Sequence, residues 1–121
     1  MVTGRNSDRL KDTAKACKCL SPKGYEALVV VADLTSADDV KRIVTETITQ
    51  FGQLDVVVAN AGIFSSALID NPRLLNIFDD TMLTNVRPVL RLLQLAVPYL
   101  EKTRGAIVVT SSMLSFKPVS S

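Results

Sequence analysis

The residues able to do chemistry in this 121-residue sequence fall into four short groups: Thr3-Gly4-Arg5-Asn6, Asp33-Leu34, Asn60-Ala61-Gly62 and Ser111-Ser112. They offer a guanidinium, a carboxylate, amides and hydroxyls, groups that hold a polar ligand through directed hydrogen bonds. Gly62 adds a place where backbone can approach a ligand closely. Other chemistries are excluded. The sequence has no histidine, so imidazole general-base catalysis and imidazole metal sites are out. Cys17 and Cys19 lack the second half of a zinc site and cannot make a disulfide framework, so they read as two free thiols and no metal is expected. A net charge of +2 is too weak a field to argue for nucleic acid or a membrane surface as partner.

The elements that must position these groups follow from the apolar pattern. Ala27–Ala32, Asp55–Ala59 and Ala106–Thr110 are short apolar runs without alternation, the pattern of strands covered on both faces of a parallel sheet. Val2 reads as the tail of an earlier strand. Between them lie helical stripes. Leu10, Ala14 and Cys17 mark a helix over 7–19, with Ser7 as its cap. Val40, Ile43, Val44, Thr47, Ile48 and Phe51 mark another, opened by Ser36 with Asp39 and closed by Gly52. A long helical pattern runs from about Leu75 to Leu100, with a kink expected at Pro88 and an end near Pro98. Alternating helix and strand predicts an α/β fold, a doubly wound parallel sheet with right-handed crossovers and flanking helices. In such a sheet, ligands bind outside the carboxyl ends of the strands, which is where all four polar groups fall. The length suits a single domain over residues 1–121. The polar start Met1–Asn6 is unlike a signal peptide, and no apolar run reaches the ~18 residues of a membrane span. A cytoplasmic chain is expected.

Taken together, these residues resemble the short-chain dehydrogenase/reductase superfamily. Thr3-Gly4-Arg5-Asn6 resembles the end of that family's second strand, Asp33-Leu34 its adenine-contacting pair, and Asn60-Ala61-Gly62 its Asn-Ala-Gly turn. Asn85, in Thr84-Asn85-Val86, resembles the catalytic asparagine. Gly105–Ser112 resembles the strand that delivers the catalytic serine. The intervals of 27 residues from Asp33 to Asn60 and from Asn85 to Ser112 match the family spacing. The resemblance implies a partial Rossmann-like domain and an oxidoreductase that moves hydride between a nicotinamide and a small carbonyl or alcohol substrate. It implies that Gly4, Arg5, Asn6, Asp33, Leu34, Asn60, Ala61 and Gly62 bind the cofactor, and that Asn85 and Ser112 belong to the catalytic set. Gly4 stands where an acidic residue would hold the ribose 2′-hydroxyl, and Arg5 follows it. That exchange favours a 2′-phosphate, hence NADP over NAD.

The departures are as informative. The family's Gly-rich turn is absent, and so is its Tyr-x-x-x-Lys, whose tyrosine would fall beyond Ser121. Tyr25 and Tyr99 have no lysine four residues on. Without that tyrosine the isolated chain is expected to be inactive or nearly so. The family's sheet also places its first strand centrally. Its loss predicts two half-sheets with facing, unpaired apolar edges. Plainer roles remain open for several residues: a basic helix face for Arg5, a capping role for Asp33, an αL turn at Gly62, a solvent-facing Asn85, and a tie between strands for Asn60. Met82 and Met113 read as core or pocket-rim residues. Two other functional classes compete. One is a non-catalytic module that pairs through its long helix with a full-length relative, or with itself as a homo-oligomer. The other is a flavodoxin-like phosphoacceptor domain, for which only Asp33 sits at a strand end.

Overall fold

A computed structural model describes residues 1–112 of the chain; Met113 lies outside them. The elements run β1 (Val2–Gly4), α1 (Ser7–Leu20), β2 (Val29–Val31), α2 (Ala37–Phe51), β3 (Val56–Ala59), α3 (Leu74–Asn85), α4 (Arg87–Thr103) and β4 (Ala106–Val109). This is the expected α/β alternation. The strands pair in parallel as two separate two-stranded sheets, β1 with β2 and β3 with β4. The register sets Gly4 opposite Val31 and Ala59 opposite Val109. Both members of each pair therefore end at the same edge.

Each sheet is held by one helix face. Ile43 of α2 packs on Val30 and Ala32, and Leu34 joins that cluster from the loop. Ala96 and Leu100 of α4 pack on Val57, with Leu54, Leu92 and Leu93 around them. Leu92 touches both clusters, so α4 links the two halves. Each fully buried side chain of this size contributes roughly 1.5–3 kcal/mol relative to exposure.

Coverage on both faces of every strand, expected from the unbroken apolar runs, is not what forms. Val57 and Ala59 of β3 are buried, whereas Val56 and Val58 are 52% and 61% exposed. Every residue of β4 is exposed. Among the described residues, α4 covers one face of β3 and nothing comparable covers the other. The apolar character of these strands thus exceeds what residues 1–112 can bury.

Local signals fare unevenly. Ser36 caps α2 by accepting from the Asp39 amide, and Gly52 closes it at φ 75°. Helix α1 is capped by Asn6 rather than Ser7: the Asn6 carboxamide accepts from the Arg9 N–H at 2.9 Å. The long helical pattern is broken rather than kinked, between α3 and α4 at Val86 (φ −108°, ψ −55°). Pro88 sits in the first turn of α4, where its missing N–H has no intrahelical partner to lose. Pro98 does not end α4, which continues to Thr103. Ala96 and Leu100 on either side of it are 0% and 4% exposed, and that packing outweighs one lost backbone bond.

The end of α4 depends on a glycine for space. Arg104 turns left-handed at φ 53°. The Gly105 N–H then donates to the Leu100 carbonyl at 2.8 Å, and the next residue, Ala106, bonds to the Asp55 carbonyl. A Cβ on Gly105 would overlap that Asp55 oxygen and lie 2.8 Å from Leu100 Cδ2. Gly105→Ala is therefore expected to lower stability by about 1–3 kcal/mol, read as a lower urea midpoint. Gly4→Ala, whose Cβ would meet nothing closer than Leu10 Cδ2 at 3.7 Å, is expected to leave the midpoint nearly unchanged.

Candidate functional site

Two clusters of polar residues form at the strand ends, one per sheet. At the β1–β2 edge, Asp33 follows the strand end and closes a turn. Its Oδ1 accepts from the Thr35 N–H (2.9 Å) and the Thr35 hydroxyl (2.8 Å). Its own N–H donates to Asp39 Oδ2 at 2.8 Å. Asp39 in turn receives Arg42 at 2.9 Å, and Arg42 also donates to the Val31 carbonyl at 2.5 Å. The first helical turn of α2 is thereby pinned to the end of β2.

These bonds set the charges. The Thr35 amide and hydroxyl hold the Asp33 carboxyl below the usual carboxylate range, and the positive Arg5 guanidinium adds to the effect. The Asp33 amide, and then Arg42, do the same for Asp39. Arg5 follows β1 and Asp33 follows β2 at the edge where the paired strands end together. Asn6 lies beside them, but its side-chain oxygen is engaged as the α1 cap. Leu34 is half-buried against Val30, Ala32 and Ile43.

At the β3–β4 edge, Asn60 accepts from the Thr110 hydroxyl at 2.9 Å, tying the two strands together just beyond their paired residues. The plainer role weighed for Asn60 is thus present. Gly62 is not an αL turn; positive φ among glycines occurs at Gly24 and Gly52. Its smallness serves a close neighbour instead, since a Cβ there would come within 3.3 Å of Asn85 Oδ1. Asn85 is not solvent-facing either. Its Oδ1 accepts from the Ile63 N–H and its Nδ2 donates to the Ile63 carbonyl, both at 2.8 Å. This pair of bonds clamps the loop after β3 to the last residue of α3, at the point where the helix breaks. Ser112 is exposed, three residues past the end of β4.

One cavity of about 490 Å³ lies between the sheets, and Leu34, Asn60 and Ala61 reach its lining. Arg5, Asn6, Asp33, Gly62, Asn85 and Ser112 do not line it. Sequence reasoning missed Thr35, Thr110, Asp39 and Arg42. Thr110 had a legible signal, a hydroxyl in register with Asn60. Arg42 had none, because its partner is a backbone carbonyl eleven residues away. Among the described residues no cluster could hold a metal ion, and no helix is long and apolar enough to cross a membrane.

Parallel strand pairs with helical crossovers and polar residues gathered at their carboxyl ends define an α/β domain of the Rossmann-like class. Comparison with known proteins agrees and is more specific. The model of the short chain dehydrogenase family matches residues 1–121. An 11-beta-hydroxysteroid dehydrogenase A of Sesamum indicum is 32% identical over 98% of this chain and 33% of its own length. A 3-oxoacyl-[acyl-carrier-protein] reductase of Staphylococcus aureus is 35% identical over 78% of this chain and 39% of its own. Among solved structures, the alcohol dehydrogenase of Thermococcus sibiricus complexed with 5-hydroxy-NADP superimposes with a TM-score of 0.84 at 27% identity. That match covers 97% of this chain and 48% of the archaeal one. The L-sorbose reductase of Gluconobacter frateurii, complexed with NADPH and L-sorbose, gives the same TM-score and identity, covering 97% of this chain and 44% of its own. The chain belongs to the short-chain dehydrogenase/reductase family, and it spans about a third of the length of the curated relatives it matches.

Two outcomes follow from the site geometry. Asn85→Ala removes both bonds to Ile63 and is expected to cost about 1–3 kcal/mol, with faster amide exchange at Ile63. The carboxyls of Asp33 and Asp39 should titrate below the ordinary 3.8. Because their folded pKa values lie under the unfolded ones, the stability they contribute is complete above the unfolded value. It is lost as the pH falls through the folded values. Carboxyl chemical shifts followed from pH 5 downward provide the check, and an Asp33 midpoint at or above 3.8 contradicts the Thr35 geometry.

Proposed function

We propose that residues 1–121 are a single partial nucleotide-binding domain of an NADP-dependent oxidoreductase. The reaction would pass hydride between the nicotinamide and a small carbonyl or alcohol substrate. The observation that carries this reading is the placement of Arg5 and Asp33 just past the ends of β1 and β2, which the register Gly4–Val31 brings to one edge of the sheet. A guanidinium there suits a 2′-phosphate, and Gly4 supplies no carboxylate to compete for a ribose hydroxyl. Asp33 would accept from the adenine amino group while Leu34 packs beside the ring. Asn6 supports the turn through its cap on α1. Several matched structures are complexes with NADP, NADPH or 5-hydroxy-NADP, which favours the same choice. These residues fit such a cofactor by their chemistry: a cation for the phosphate, a carboxylate acceptor, and small residues, Ala61 and Gly62, where backbone must approach.

The nicotinamide, when bound, would supply or accept the hydride. Ser112 would donate its hydroxyl to the substrate oxygen and stabilise charge building there. Asn60, Ala61 and Gly62 would line the approach to the nicotinamide side, and Asn85 would hold their loop through Ile63. Residues 1–121 contain neither a Gly-rich pyrophosphate turn nor a tyrosine with a lysine four residues on. By itself this stretch should therefore be inactive and should bind the cofactor weakly. The exposed thiols Cys17 and Cys19 suit a reducing, cytoplasmic compartment.

A second reading, a non-catalytic module that pairs with a full-length relative or with its own copy, has one favouring observation. Leu75, Phe78 and Leu90 on α3 and α4 are 73%, 57% and 64% exposed. Co-purification with a complete relative would support it.

Calorimetric titration of the chain with NADP and with NAD is expected to give Kd values of about millimolar or weaker, NADP the tighter, and Arg5→Glu should abolish the preference. Tight NAD binding would overturn the cofactor choice. Turnover of any carbonyl substrate by this stretch alone would overturn its inactivity.

A further inference from the structure

Helix α1 ends in a turn that packs on nothing. Leu10 is its one buried residue, and every residue from Lys15 to Leu20 is exposed, around the full circumference of the helix. Leu20 and, past the turn, Tyr25 are 84% and 68% exposed. The end is nonetheless fixed by hydrogen bonds. The Ser21 N–H donates to the Cys17 and Lys18 carbonyls at 3.0 and 3.3 Å, and the Gly24 N–H donates to the Ser21 carbonyl at 3.0 Å. The Tyr25 N–H donates to Ser21 Oγ at 3.1 Å. Lys18 pairs with Glu26, so residues 17–26 close into a small knob.

The knob displays a particular set of groups. Cys17 and Cys19 are free, exposed thiols. Cys17 shares a helix face with Leu20, three residues on, and Cys19 with Lys15, four residues back. The whole-chain charge of +2 conceals a local excess: residues 13–25 hold Lys15, Lys18 and Lys23 and no acidic residue. Glu26 offsets Lys18. That leaves Lys15 and Lys23, the latter 6.0 Å from the centre of the Tyr25 ring. Cations beside an aliphatic and an amphipathic aromatic side chain suit the headgroup boundary of an anionic membrane. A folded protein partner fits less well. A stable interface needs about 800 Å² per side, and the apolar contact here is one leucine and one tyrosine. Helix α1 also runs from the carboxyl end of β1 back to the amino end of β2, and its 14 residues span about 21 Å. The knob therefore lies at the edge opposite Arg5 and Asp33, and covering it leaves the strand carboxyl ends open.

We propose that Cys17 and Cys19 are S-acylation sites, and that the acylated end of α1 seats on an anionic lipid surface. The acyl donor is a long-chain fatty acyl thioester. The cysteine sulfur attacks its carbonyl carbon, a new C–S bond forms and the donor's C–S bond breaks. The departing thiolate takes the proton that the cysteine gives up, and no electrons are transferred. One acyl chain holds a protein to a membrane only marginally and reversibly, whereas two chains, or one with a basic patch, anchor it. The paired thiols and the two lysines supply both devices within ten residues of chain. The inference rests on the end of α1 and is independent of the cofactor assignment.

The test incubates the 121-residue chain with palmitoyl coenzyme A and vesicles of phosphatidylcholine, alone or mixed with phosphatidylserine. Mass analysis is expected to find one and then two palmitoyl groups, on Cys17 and Cys19, released by neutral hydroxylamine and added faster on the mixed vesicles. The acylated chain should sediment with the mixed vesicles in preference to the neutral ones. Lys15→Gln and Lys23→Gln should each lower that partition about fivefold while acylation persists. Cys17→Ser combined with Cys19→Ser should abolish acylation and sedimentation together. Three results would overturn the proposal. They are thiols that stay unacylated in the folded chain, an acylated chain that sediments equally with and without phosphatidylserine, and an acylated chain that stays in solution.

Discussion

Backbone hydrogen bonding between parallel strands is the constraint from which the rest of this molecule follows. A parallel pair needs a helical crossover, and every crossover deposits an apolar helix face on the sheet. Here the crossovers through α1 and through α3–α4 give two pairs, β1–β2 and β3–β4. Helix α2 joins the pairs and α4 touches both cores through Leu92. Among the described residues there are two strand ladders and two small cores, joined through α2 and α4. Its exposed valines on β3 and β4 are the visible cost of dividing a sheet.

That division also governs the site. Each half carries its own polar cluster, stabilised locally. Asp33, Thr35, Asp39 and Arg42 fix the turn after β2. Asn60 with Thr110, and Asn85 with Ile63, fix the loop after β3. Neither cluster depends on the other for its hydrogen bonds, so the chemistry-bearing residues are pre-positioned even where the sheet between them is interrupted. Asn85 illustrates the economy. An amide that is a poor helix former stands at the terminus of α3, where the helix stops anyway, and spends both of its polar atoms on one distant peptide group.

Much of the fold was legible because its signals are local. The apolar runs around Val30, Val57 and Val108 mark strands whatever surrounds them. Ser36 and Gly52 mark helix ends through bonds that span three or four residues. The errors came where a distant contact outweighs a local preference. Pro98 stays inside α4 because Ala96 and Leu100 are locked into the β3 core. Ser7 yields the cap to Asn6 because the helix begins one residue earlier than the pattern implied, with Ser7 already its first helical residue. The strands look buried on both sides in sequence, but the amount of covering structure is a property of the assembled elements.

The order of helices and strands, the family, and the identity of the polar residues at each strand end are all legible in the amino-acid sequence. Periodicity, capping and strand-end placement act over a few residues, and so they are readable in one dimension. The division of the strands two and two already followed from the family resemblance; packing alone settled that Asn85 grips Ile63 and that Gly62 and Gly105 are small for the sake of neighbours far along the chain. Those outcomes depend on which surfaces meet, and meeting is settled by packing between residues 20 to 50 positions apart, a separation at which no local pattern carries information.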